Sequence, residues 1–156
     1  MQLISNATQK NHRAEIARGI LSSNVIILCS GWLKLDGFEL LAPAIDRALL
    51  RSDVNIRIYS NSERTQAKAK RELTKRNIQH VCVPNTAFYF HSKLYYFEQG
   101  SSFTALVGSA NMTYGGLVSN EEVSAYYSGT IGSTSHLSVV TYLKHLEAKV
   151  TRQCPR

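Results

Sequence analysis

The chain has 156 residues, 44% of them hydrophobic, with 18 Lys and Arg against 11 Asp and Glu for a formal charge of +7. That length suits a single domain with its own core, and the composition excludes a largely disordered chain. The longest apolar run, Val25 to Cys29, is far short of the roughly 20 residues of a spanning helix, and the start lacks a basic, apolar secretory leader, so the expectation is a cytoplasmic protein without a membrane anchor.

In chain order, Ala7 to Ser22 reads as a helix with Ile16, Ile20 and Leu21 at inward spacings. Val25 to Cys29 is a continuous apolar run, the pattern of a strand covered on both faces by helices. It leads into a turn at Ser30-Gly31-Trp32. Phe38 to Arg51 carries a wide apolar stripe through Leu41, Ala44, Ile45 and Ala48. Val54 to Tyr59 alternates as a strand, and Asn61 or Ser62 can cap a third helix from Glu63 to Arg76. Gln79 to Val83 is a short strand ended by Pro84-Asn85.

Strands then dominate: Phe88 to Phe97, Phe103 to Val107 and Glu122 to Tyr127, joined by turns at Gly100 and Gly115-Gly116. A last helix spans Ser135 to Val150. This order implies an α/β fold, a mixed β-sheet sandwiched between helices, in one domain over 1–156.

The excess of Lys and Arg points to a polyanion, nucleic acid first and an anionic membrane surface second, against the plainer reading that charge only aids solubility. In the expected third helix Arg64, Lys68, Arg71 and Lys75 follow a 4-3-4 spacing and share one face, a candidate nucleic-acid-binding stripe. Trp32, Tyr95, Tyr96 and Tyr114 are candidates for stacking on unpaired bases, or for core packing. Three cysteines, Cys29, Cys82 and Cys154, without a C-x-x-C pair suit reduced structural thiols. His80, Cys82 and His91 match no zinc-ligand spacing, so no metal and no cofactor is expected.

Chemistry concentrates between His91 and Glu122. In the expected strand from Phe88 to Phe97, His91 and Lys93 fall on one face, where an imidazole beside an ammonium suits a phosphate. Gly108-Ser109-Ala110-Asn111 reads as a tight turn after a strand, offering a hydroxyl and an amide to phosphate oxygens. Asn120-Glu121-Glu122 then supplies carboxylates, one of which could fix the tautomer of a histidine nucleophile.

H-x-K, G-S-x-N and Asn-x-Glu in this order resemble the signature of the phospholipase D superfamily, especially its small nuclease members and restriction-enzyme nuclease domains. The first motif departs from the pattern in having Glu98 where an Asp is common. The resemblance implies a phospholipase D-like fold and metal-free phosphodiester hydrolysis through a phosphohistidine on His91. Lys93, Ser109 and Asn111 would hold the nonbridging oxygens, and Glu122, favoured over Glu121 by the spacing, would orient His91. The chemistry needs two histidines and the motif occurs once, so a homodimer with two His91 side chains at one site is expected. DNA is the leading substrate, with single strands or RNA as alternatives, and sequence preference is expected to be weak or supplied by a partner protein. A phospholipid phosphodiesterase and a noncatalytic nucleic-acid-binding module are the rival readings.

Overall fold

The computed structural model describes residues 1–8 and 10–154. Its strands are β1 (Gln2–Ser5), β2 (Val25–Ser30), β3 (Asn55–Asn61), β4 (Gln79–Val83), β5 (Lys93–Gln99), β6 (Ser102–Gly108) and β7 (Val123–Thr130). The helices are α1 (His12–Ser22), α2 (Leu35–Leu49), α3 (Ala67–Lys75) and α4 (Thr134–Gln153). One seven-stranded sheet runs β1-β7-β6-β5-β2-β3-β4. β2, β3 and β4 are parallel, and β5, β6, β7 and β1 continue from β2 as antiparallel neighbours.

Each face of the sheet buries its own core. Ile26, Leu28, Ile56, Ile58 and Phe97 pack with Ile16 and Ile20 of α1, Leu41 and Ile45 of α2, and Leu73 of α3. On the opposite face Cys29, Leu94, Tyr96 and Phe103 pack with Val139, Leu143 and Leu146 of α4. β2 alternates between the two, which is why it reads as an unbroken apolar run. The expected sandwich is therefore the observed architecture. Among the described residues no helix is long and apolar enough to cross a membrane.

Several expected elements differ from the observed ones. α1 starts at His12, because Asn11 caps it by accepting from the Ala14 amide at 2.9 Å. Ahead of it lies β1, an edge strand missed because its partner, β7, is distant in sequence. Gln9, inside the expected helix, lies outside the described residues. α2 begins at Leu35, a turn before the expected Phe38.

The expected helix from Glu63 to Arg76 is two pieces, a 3-10 turn Ser62–Arg64 and then α3. Thr65 donates its hydroxyl to the Asn61 carbonyl at 2.6 Å and bridges to Leu33, which draws the chain out of helical geometry. The strand expected from Phe88 starts instead at Lys93. Its ladder partner β2 ends at Ser30, opposite Lys93, so nothing remains for His91 to pair with.

Candidate active site

The sheet gathers the five predicted site residues at one end. Lys93 opens β5 beside the end of β2, Ser109 and Asn111 follow the end of β6, and Glu122 immediately precedes β7. Antiparallel pairing of β5, β6 and β7 forces these ends together. All five line one cleft of about 1270 Å³.

Within it, the Lys93 Nζ donor lies 3.0 Å from each His91 ring nitrogen and 2.8 Å from the His91 carbonyl oxygen. His91 is exposed, and its ring stacks on Tyr89 with centroids 5.7 Å apart. Partial desolvation, and then the Lys93 charge, hold the imidazole below its usual pKa, so the neutral nucleophilic form is favoured. Desolvation likewise lowers Lys93, offset by the Glu122 carboxylate. Gly31 lies against His91: a Cβ there would sit 3.1 Å from the His91 Cα and Cδ2.

The Ser109 hydroxyl donates to the Glu122 carboxylate. It also accepts from the Val123 amide at 3.2 Å. Asn120 donates to the other Glu122 oxygen at 3.3 Å. Asn111 accepts the Trp32 amide on its Oδ1 at 2.9 Å, and its Nδ2 has no partner among the described residues. The site thus presents an imidazole, an ammonium, an amide donor and an anchored carboxylate around one space, the set needed to hold and attack a phosphate diester.

The family model described as "Cardiolipin synthase, PLD-like domain" matches residues 24–142, most of the chain and every one of these residues. The chain belongs to the phospholipase D superfamily. Membership agrees with the hydrolase class that the motifs implied. The fold is similar to NucT from Helicobacter pylori, with a TM-score of 0.70 at 15% identity over 95% of each chain. It is also similar to Nuc from Salmonella typhimurium, a phospholipase D family member, with a TM-score of 0.69 at 16% identity over 97% of this chain and 93% of that one. Polyphosphate kinase from Porphyromonas gingivalis matches 94% of this chain and 23% of its own, with a TM-score of 0.66 at 12% identity. Among curated proteins, none matches the sequence.

Several placements in this phospholipase D-superfamily chain differ from expectation. Within one chain Glu122 bonds Ser109 and Asn120 rather than His91, so it is not seen orienting that imidazole. Glu122 lines the cleft, whereas Glu121 is exposed and does not. The basic stripe is broken: Arg64 sits on the 3-10 turn, while Lys68, Arg71 and Lys75 lie on α3. Lys75 pairs with Glu72 at 2.6 Å. Tyr95 and Tyr96 are buried in the two cores and unavailable for stacking. Trp32 lines the cleft and Tyr114 is exposed. Glu98 accepts from the Tyr96 hydroxyl, away from the cleft. Among the described residues no group of three or more His, Cys, Asp or Glu is arranged to hold a metal ion.

One supporting residue escaped the motif reading. His12 is fully buried; its Nδ1 faces the Asn6 Oδ1 at 2.7 Å and its Nε2 faces the Ser124 hydroxyl at 2.9 Å. Asn6 then donates to the carbonyls of Gly116 and Asn120, both at 3.0 Å, fixing the loop that presents Glu122. A lone histidine at the start of a helix carries no signal in sequence; only the closure of β1 onto β7 reveals it.

Proposed function

We propose that this protein is a metal-independent endonuclease that cleaves DNA through a phosphohistidine on His91, at a site completed by a second copy of the chain. The observation that carries the reading is the convergence of His91 and Lys93 with Ser109, Asn111 and Glu122 on one cleft. The net positive charge and the likeness to Nuc and NucT support a nucleic-acid substrate over a lipid one.

In the first step a neutral ring nitrogen of His91 gives its lone pair to phosphorus, and the bond to the leaving oxygen breaks. The second His91, as imidazolium, gives that oxygen its proton. Water then attacks phosphorus, the P–N bond breaks, and the second imidazole takes the water proton. The net change is a diester and water converted to a monoester and an alcohol. Lys93 and the free Asn111 amide stabilise charge on the nonbridging oxygens, and Ser109 with Glu122 holds the wall of the cleft. Lys68 and Arg71, both exposed on α3, add attraction for the strand, and the three free cysteines suit the reducing cytoplasm. A weak sequence preference leaves room for a targeting partner protein.

The deciding experiment incubates purified protein with plasmid, single-stranded DNA, RNA and phospholipid in EDTA, beside His91→Ala. DNA cleavage in EDTA that His91→Ala abolishes is expected. Cleavage that requires added magnesium, or full activity of His91→Ala, overturns the proposal, and hydrolysis of the phospholipid alone moves the enzyme to a lipid substrate.

A further inference from the structure

The cleft has a rim that the phosphoryl chemistry does not use. Residues 32–34 form a short extended strap, with Leu33 bridging in parallel to Thr65 on one side and to Met112 on the other. The Leu33 amide donates to the Arg64 carbonyl at 3.1 Å, the Gln66 amide to the Leu33 carbonyl at 2.9 Å, and the Lys34 amide to the Met112 carbonyl at 3.1 Å. A fourth bond, from the Trp32 amide to the Asn111 side chain, ties the strap to the site itself. Leu33 is fully buried and supplies the strap's packing, which leaves the half-buried Trp32 no obligation to the core.

Two cations stand at that indole. The Arg64 guanidinium carbon lies 5.1 Å from the ring centroid and the Lys34 Nζ 5.7 Å. Neither forms an ion pair among the described residues. Lys34 and Trp32 both line the cleft. An aromatic face and two unpaired cations are thus set by backbone bonds at a fixed offset from Asn111.

We propose that Trp32, Arg64 and Lys34 form a subsite for an unpaired nucleotide beside the scissile phosphate, the indole taking its base and the cations the neighbouring phosphates. The inference rests on the nuclease reading and names its substrate class, a single strand of DNA or RNA. Bases in a duplex have both faces covered by their neighbours, so only an unstacked base can lie on an indole. Phosphates draw the guanidinium and ammonium away from the ring, exchanging weak exposed cation–π contacts for charge-assisted bonds.

Trp32 is the only tryptophan in the chain, so its fluorescence reports this position alone. His91→Ala protein is titrated with octamers of thymidylate and of uridylate, an abasic octamer, and a duplex of the same length. Quenching by either base-bearing octamer, with little from the abasic one and roughly tenfold weaker duplex binding, is expected. Measured by anisotropy of end-labelled strands, Trp32→Leu, which removes that fluorescence, should weaken octamer binding about tenfold or more while leaving abasic binding unchanged. Arg64→Met should weaken both and lower the slope of log K against log salt by about one. Octamer binding without quenching, equal affinity for duplex, or unchanged affinity in both variants overturns the subsite. The nuclease reading is scored separately, by cleavage of the same strands by wild-type protein in EDTA. Quenching without cleavage keeps the subsite and removes the nuclease.

Discussion

Partial desolvation, and then the Lys93 ammonium beside both ring nitrogens of His91, make a positive charge on that ring costly. The imidazole is therefore neutral further into acid than an ordinary histidine, so on the proposed mechanism the acid limb of activity should follow that lowered pKa, and an alkaline limb should mark loss of the proton from the second His91. Lys93→Met removes one of the two causes, so the acid limb of kcat/KM should move up toward pH 6.5 and kcat should fall about 10²–10³-fold. A pH–rate profile of the two proteins checks both, and a limb that stays in place would remove Lys93 from the electrostatics of the site. The same sign applies to stability at His80, whose pKa burial, and then Lys70, lowers to about 4. Its folded pKa lies below its unfolded value, so the contribution is complete above about pH 6.5 and is lost as pH falls toward 4. Partial exposure trims the effect, and up to about 3 kcal/mol is the ceiling over that window. Urea unfolding across it should show a decline that His80→Gln flattens. The H-x-K pair was legible because any extended chain puts i and i+2 on one side, although His91 lies outside the strand. Its unbonded relation to Glu122 was not legible, since nothing in the spacing says that Ser109 and Asn120 occupy that carboxylate.

At the scale of elements, the turn after β2 governs how close the imidazole comes to the rest of the site. Gly31→Ala places a methyl 3.1 Å from His91 backbone and ring atoms and 3.4 Å from the Asn111 Oδ1. His91 must shift by a few tenths of an ångström, so on the proposed mechanism kcat should drop about tenfold or more while the melting temperature changes little. Comparing single-turnover rates with a thermal melt separates the two, and an unchanged rate would mean that His91 accommodates the methyl freely. β2, α2 and α4 were readable because each is announced locally, the strand by an unbroken apolar run and the helices by a period of about 3.6. β1 and the break at Thr65 were not, because both depend on partners far along the chain, Ser124 opposite Ile4 and Leu33 opposite Thr65. The 4-3-4 spacing of Arg64, Lys68, Arg71 and Lys75 misled for the same reason: a helical pattern runs across a segment that a remote strap pulls straight.

For the whole molecule, the shared-site proposal has a kinetic consequence. With one His91 per chain, a mixed dimer of wild-type and His91→Ala subunits keeps a nucleophile but lacks its proton donor. Titrating wild-type protein with excess His91→Ala should therefore depress activity below simple dilution, toward zero, once subunits exchange. Activity that follows the wild-type concentration alone would assign the full reaction to a single chain. The order of the sheet carries a further implication. Because β1 pairs with β7 and Asn6 stitches the loop ahead of Glu122, the two extremes of the fold must meet before the carboxylate is seated. A nascent chain emerging from a ribosome would expose His91 and Lys93 well before that closure. On the proposed mechanism, the reactive pair stays unassisted until synthesis passes β7, so competence would arrive with the last strand of the sheet rather than with the residues that carry the chemistry.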